Sequence, residues 1–325
     1  MQLAAVIPAY NSAGTIGPLV ADLLRQPFVA QVIVVDDAST DTTASTASLA
    51  ASGDPRFRLV RQPENRGAGA ARNRGMLEIT APYAVFLDAD DAIVPDVIGA
   101  AVGHLDRFGG DFILYRYATF RHAPAEMGAM NRLDVDVWRR QMEDRELVAF
   151  TRDEGAGFLA LVNFPWTRIH RTAALRAYGL HFSETRVHND VFAHWQSFLE
   201  SERFIAFNRV GVLHKVSGSD HHLNNQFTRQ RFDIFTAFEE VDRLFQGRSD
   251  RAALHPFYLF FRVTVLDWIH ANLPRDLMAE FQGRVARAFA DFDADSYARC
   301  RRLFGSVADR CVRAKLSPAS VWPIR

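Results

Sequence analysis

At 325 residues, 48% hydrophobic and 12% aromatic, the chain is long enough for one large domain and a smaller one with a core in each, and its composition excludes disorder. Lys+Arg and Asp+Glu both count 38, so no global basic field draws it to nucleic acid or anionic lipid. The two cysteines, Cys300 and Cys311, show no metal-ligand spacing and suit a reducing compartment. No basic leader precedes the first apolar run, and no stretch of about 18 uninterrupted apolar residues marks a membrane span. A soluble cytoplasmic protein is the expectation.

Leu3 to Ile7 reads as a buried strand, broken by Pro8-Ala9-Tyr10-Asn11-Ser12 before an amphipathic helix from Thr15 to Gln26. Val32 to Val35 is a second strand that ends in Asp36 and Asp37, with Ser39 or Asp41 available to cap the helix after it. Arg56 to Arg61 alternates and belongs nearer a sheet edge. In Pro63 to Gly75, glycines and alanines at a loop-to-helix junction lie among three arginines. That stretch reads equally as a phosphate cradle and as a helix start packed close to the sheet; it fits neither a Walker loop nor the dinucleotide fingerprint.

Tyr83 to Leu87 is short and continuously apolar, as a buried parallel strand should be, and it runs into Asp88, Asp90 and Asp91. Ligands bind at the carboxyl ends of such strands, and crowded carboxylates there repel unless a cation takes up their charge. One acid would cap the helix predicted over Pro95 to Phe108; three favour a hard-cation site. Strands alternating with helices through this region predict a parallel α/β sheet.

These stretches, taken together and in order, resemble glycosyltransferase family 2, the inverting enzymes of the GT-A fold. The resemblance is carried by Ile7-Pro8-Ala9-Tyr10-Asn11, Val34-Val35-Asp36-Asp37-Ala38-Ser39 with Asp41-Thr42-Thr43, Asn65-Arg66-Gly67 through Gly75, and Phe86-Leu87-Asp88-Ala89-Asp90-Asp91. It implies a Rossmann-like nucleotide-diphospho-sugar transferase domain, a mixed sheet flanked by helices, over residues 1–222, followed by an all-helical region over 223–325. It further implies that Pro8, Ala9 and Tyr10 flank the nucleotide base, that Asp37 hydrogen-bonds it, and that Gly69 and Arg72 lie near the base or diphosphate. Asp88 and Ala89 would then stand at the ribose, with Asp90 on Mn²⁺ or Mg²⁺.

Asp111 to Tyr117 reads as another strand, after which Ala118 to Phe150 loses periodicity and is left as an acceptor-side segment or a surface insertion. Asn163 to Arg171 is similar to a Pro-Trp-Asn-Lys-like stretch of the family and leads into a helix over Arg171 to Tyr178. Its Trp166 is either a sugar or acceptor platform or a core aromatic. Asp190, before a helix from Val191 to Leu199, stands where related enzymes carry the acid that deprotonates the acceptor hydroxyl; the preceding position, usually Glu, is Asn189 here. As an alternative, Asp190 merely caps that helix. Without the neighbouring acid, like-charge repulsion is a weaker reason for a raised pKa. Lys215, Ser217 and Ser219 resemble a donor-loop segment that closes on the diphosphate, with His214 a further metal ligand or phosphate contact.

From Asn225 the pattern is helical: Phe232, Phe235, Phe238 and Val241 recur three apart, Leu254 to Ile269 is densely aromatic, and further helices cover Arg275 to Phe289 and Ser296 to Val307. The apolar surface of Phe257 to Ile269 calls for burial against the catalytic domain, a homodimer interface, or a peripheral membrane contact at the inner face of the membrane. The expected activity is metal-dependent hexosyl transfer from a nucleotide sugar, with UDP the expected nucleotide, to a hydroxyl of a glycan or lipid-linked acceptor in polysaccharide synthesis. Two other readings stand beside it: a sugar-nucleotide nucleotidyltransferase, and a nucleotide-sugar-binding protein without transfer.

Overall fold

The computed structural model describes residues 2–121, 127–216 and 227–324. The chain divides into two compact units, residues 1–152 with 162–217, and residues 153–161 with 218–325.

The first unit is built on one sheet. Its parallel half consists of β1 (Leu3–Ala9), β2 (Val29–Asp36), β3 (Phe57–Arg61) and β4 (Tyr83–Phe86), with β1 paired to β2 and β4, and β2 to β3. Every residue of β1 and β4 is buried, which is why these strands read as unbroken apolar runs. The order across the sheet is β3-β2-β1-β4, so the alternating Phe57–Arg61 segment is an edge strand, as its pattern predicts.

The connecting helices are α1 (Ile16–Leu24), α2 (Thr43–Ala51) and α3 (Gly67–Met76). α3 lies unusually close to the sheet. A Cβ added to Gly75 would meet Val6 Cγ1 at 2.5 Å and Val35 Cγ2 at 3.0 Å, which accounts for the small residues of this stretch. Ala71 shares a core cluster with Val6, Ile33, Val35, Phe86, Phe182 and Ala193.

Beyond β4 the sheet is mixed. β5 (Ala92–Ile93) and α4 (Pro95–Phe108) lead to β6 (Phe112–Phe120), then α5 (Arg132–Met142), β7 (Leu147–Thr151), β8 (Arg168–Arg171), α6 (Thr172–Tyr178), α7 (Val191–Glu200) and β9 (Arg203–Lys215). β8 enters from a 3-10 turn over Pro165–Thr167, not from a crossover helix, and runs antiparallel to both β4 and β6. β6 and β9 are parallel, while β5 and β7 pair antiparallel with β9. The four strands whose alternation with helices predicts a parallel arrangement are parallel, and the sheet as a whole is mixed, as the family resemblance implies.

The region left without periodicity contains α5 and β7. α5 was hidden because a buried acid stands on its inner face: Asp134 accepts from Tyr117 Oη at 2.9 Å and from the Val162 amide at 3.1 Å.

The second unit is helical: α8 (Asp233–Phe245), α9 (His255–Asn272), α10 (Met278–Ala288), α11 (Ala294–Leu303) and α12 (Gly305–Leu316), with a 3-10 turn over Ala156–Ala160 against α9. The single helix predicted over Ser296 to Val307 is two, because Phe304 (φ −139°, ψ 65°) breaks the run before Gly305. Tyr258, Leu259, Val263, Leu266 and Ile269 of α9 are buried in this unit, while Trp268 is 39% exposed. Arg262 is buried among them, donating to Asp242 at 3.2 Å and to the Ala288 carbonyl at 2.6 Å. Among the described residues no helix is long and apolar enough to cross a membrane.

Candidate active site

The carboxyl ends of β1, β2 and β4 converge on one edge, and the turns leaving them are tied together. The Asn11 amide donates to Ser39 Oγ at 3.0 Å, the Thr40 amide to Asn11 Oδ1 at 2.9 Å, and the Ser12 amide to Thr43 Oγ1 at 2.7 Å. Pro8 and Ala9 are buried residues of β1 itself, not of a turn; only Tyr10, 48% exposed, presents a face to solvent. Of the three residues expected to flank a base, only Tyr10 is exposed.

Asp37 departs from expectation as well. Its carboxylate accepts from Gln62 Nε2 at 2.6 Å, from the Arg66 amide at 2.8 Å and from the Gly67 amide at 2.7 Å. The side chain thus satisfies the first amides of α3 and is buried, so its structural task is to seat that helix. Direct bonding to a base is not what these contacts provide.

One guanidinium joins the strand-end acids to the turn before α7. Arg72, 4% exposed on α3, donates through Nη2 to Asp88 Oδ1 at 2.5 Å and through Nη1 to Asn189 Oδ1 at 2.7 Å. Its guanidinium carbon stands 5.3 Å from the Phe182 ring centroid. Asn73 fixes the same junction with a reciprocal pair, Nδ2 to the Phe182 carbonyl at 2.9 Å and the Phe182 amide to Oδ1 at 2.8 Å. A Cβ on Gly69 would lie 2.1 Å from the Ser183 carbonyl oxygen and 3.0 Å from Asn189 Cβ. Gly69 therefore lets α3 pack against the 183–189 turn, which is the packing reading of the glycine-rich stretch.

Asp190 occupies the position before α7 but makes no capping bond with its side chain, so the capping alternative fails. The carboxyl is half-buried, and burial pushes its pKa up to about 6; Arg72 opposes this, Asp88 adds to it, and a hydrogen bond from Asn163 opposes it again. The raised value arises from desolvation, without the second acid that the sequence lacks.

Asp88 is part-exposed, its side chain at 31%, while Asp91 is buried. Asp91 Oδ1 accepts from His214 Nδ1 at 2.8 Å and from the Lys215 amide at 3.3 Å. Burial raises the Asp91 carboxyl to about 7, with the His214 bond opposing and the charges of Asp88 and Asp90 adding. Burial by itself lowers the imidazole, but the Asp91 bond and the charges of Asp91, Asp88 and Asp90 outweigh it, and His214 titrates above its ordinary value. His214 is thereby placed as the partner of Asp91 through its Nδ1.

Among the described residues no group of three or more His, Cys, Asp or Glu is gathered to hold a cation alone. The donor set nevertheless suits one. Carboxylates cluster after β4, and Asp91 Oδ2 is buried without a hydrogen-bond partner among the described residues. One or two carboxylates completed by phosphate oxygens is the usual Mg²⁺ arrangement.

Trp166 is fully buried, stacked on Phe164 at 4.5 Å and on His214 at 4.9 Å, with its carbonyl accepting from Tyr115 Oη at 2.7 Å. It offers no face to a sugar, and the core reading replaces the platform one. Lys215 ends β9 beside Asp91; Ser217 and Ser219 lie outside the described residues. Arg168, His194 and Asn163, which carried no role in the sequence reading, surround Asp190. The only signal for them was their place in the stretch around Trp166 and one helical turn beyond Asp190.

Comparison with known proteins gives this arrangement a context. A family model described as Glycosyl transferase family 2 matches residues 4–164. The succinoglycan biosynthesis protein ExoU of Rhizobium meliloti (strain 1021) is 33% identical over 224 residues, covering 66% of this chain and 62% of its own. ExoO of the same organism is 41% identical over 105 residues, 32% of this chain and 30% of its own. The chain thus spans less than two thirds of the length of these curated relatives. A crystal structure of S. aureus TarS 1-349 in complex with UDP-GlcNAc superposes with a TM-score of 0.81 at 16% identity, covering 99% of this chain and 90% of that one. At that identity the likeness speaks for the fold.

Proposed function

The chain belongs to glycosyltransferase family 2 and has its GT-A fold, and from that premise we propose that it transfers a sugar, with inversion, from a UDP-sugar to a hydroxyl of a glycan or lipid-linked acceptor. Relatives named for succinoglycan biosynthesis support a polysaccharide as the destination. The solved structure bearing UDP-GlcNAc supports uridine in the donor.

The observation that carries this reading is the Arg72 bridge. It holds the turn bearing Asp190 against the strand-end acid Asp88, so that a carboxyl with a pKa near 6 lies beside the edge where a nucleotide sugar binds. Asp190 accepts the acceptor's proton, and the oxygen so freed attacks the anomeric carbon from the face opposite the diphosphate. Tyr10 lies along the base, and Asp88 meets the ribose with its exposed edge. Asp90 would hold Mg²⁺ or Mn²⁺, and Asp91, next to it in the chain, is paired with His214. When bound, the cation offsets the charge that develops on the leaving diphosphate. Lys215, with Ser217 and Ser219 following it in sequence, faces the same leaving group.

Asp190→Asn tests the assignment: transfer from UDP-sugars falls by about 10²- to 10⁴-fold while UDP affinity is kept. Full transfer by that variant would remove Asp190 from the chemistry.

A further inference from the structure

Next to Asp190 the first unit encloses a cavity of ≈ 10 Å³ whose polar lining comprises Asn163, Arg168, His170, Asp190, His194 and Ser197. Arg168, on β8, is 2% exposed. Its Nη2 lies 2.8 Å from His194 Nδ1; a guanidinium only donates, so Nδ1 is the acceptor. The guanidinium carbon stands 5.8 Å from the Phe112 ring centroid and 5.2 Å from that of Phe198. Its Nε and Nη1 have no hydrogen-bond partner among the described residues.

A buried cation is costly unless an opposite charge lies near it. Burial draws the Arg168 pKa down to about 10, with Tyr115 and Asp190 opposing, so it remains charged at neutral pH. Tyr115 is kept protonated by its own burial, and His170 is held neutral by burial and by Arg168. Of the groups lining the cavity, Asp190 alone is an acid. Arg72, the other cation near it, has both Nη atoms engaged by Asp88 and Asn189.

We propose that Arg168 is a positioning residue for Asp190: a buried counter-cation, fixed by His194 and two aromatic rings, that keeps the carboxyl ionised and in place across their shared cavity. The inference rests on the reading of Asp190 as the general base. Among the described residues the groups that face Asp190 are Arg72 from α3, Asp88 after β4, Asn163 before β8, Arg168 and His170 in β8, and His194 in α7; Arg72 favours its charge directly, and Arg168 is the cation that shares its cavity and feels its charge.

The experiment is the pH profile of kcat/KM for transfer from a UDP-sugar by the wild type, Arg168→Met, Arg168→Gln and Arg168→Lys, with UDP affinity and melting temperature measured on each. Loss of the cation moves the acid limb upward by about one pH unit in the Met and Gln variants, with UDP affinity retained. Lysine keeps the charge but not the second arm to His194, so its limb stays in place while kcat falls. A folded Met or Gln variant whose limb is unmoved overturns the proposal. If neither folds, the Lys variant decides, and an upward shift with the charge still present overturns it. Failure of the underlying reading looks different: either Asp190→Asn retains full transfer, or the wild type binds UDP and turns over no nucleotide sugar.

Discussion

At the residue scale, two acids that look alike in the sequence, Asp88 and Asp91, have been given different environments. Asp88 is paired to Arg72 and keeps an exposed edge, whereas Asp91 is buried against His214. Because the hydrogen bond and charge of Asp91 are what lift His214 above its ordinary value, Asp91→Asn lowers the imidazole pKa. Burial is then opposed only by the charges of Asp88 and Asp90, and the midpoint falls relative to the wild type. Titration of the His214 ring protons by NMR, on cation-free protein, measures this; an unchanged midpoint would mean that the pair does not share its proton as the contacts indicate. The acids and His214 were legible as chemistry-bearing residues, but their pairing was not, since it joins positions 123 residues apart.

At the element scale, the strands and helices of the first 115 residues were legible because fully buried strands are continuous apolar runs and Pro95 opens α4 at its first position. α5 and β7 were not. A helix whose inner face contains Asp134 has no clean apolar stripe, and a strand added at the outer side of β9 needs none. The glycine-rich stretch could be read as a phosphate cradle or as close packing, and the space around Gly69 and Gly75 favours packing. Gly69→Ala therefore forces the 183–189 turn away from α3, costing about 1–3 kcal/mol of stability by overpacking and displacing Asp190. Gly14→Ala, with nothing within 4 Å of the added methyl, is the control. Denaturant melts with transfer assays on both check this; a Gly69→Ala protein that is as stable and as active as the control would show that the turn yields freely.

At the scale of the whole molecule, the first unit brings acids to one sheet edge without assembling a complete cation site from protein atoms among the described residues. Mn²⁺ or Mg²⁺ alone should hence leave the melting temperature nearly unchanged, while UDP with the cation raises it. At a hundredfold excess over Kd the gain is about 2.7 kcal/mol, a shift of several degrees. Thermal-shift measurements with cation, UDP, and both together test this, and an equal shift from cation alone would call for a preformed site. In the helical second unit Tyr258 of α9 packs on Phe238 and Phe245, and Phe257 and Phe260 pack on Phe304, while Trp268 stays part-exposed.

The sequence by itself determined the α/β class, the strand-then-acid edges and the helical C-terminal region, because burial period and turn chemistry are local properties of the chain. Only the tertiary structure decided what those side chains meet. Trp166 became core, Asp37 became the seat of α3, and Arg72 became the bridge between Asp88 and Asn189, because each outcome depends on segments that approach one another only when the sheet closes over its helices. The same holds for Asp190, whose elevated pKa is a consequence of burial, a quantity set by the packing of distant residues such as Arg168 and Asn163 and written nowhere in its neighbours along the chain.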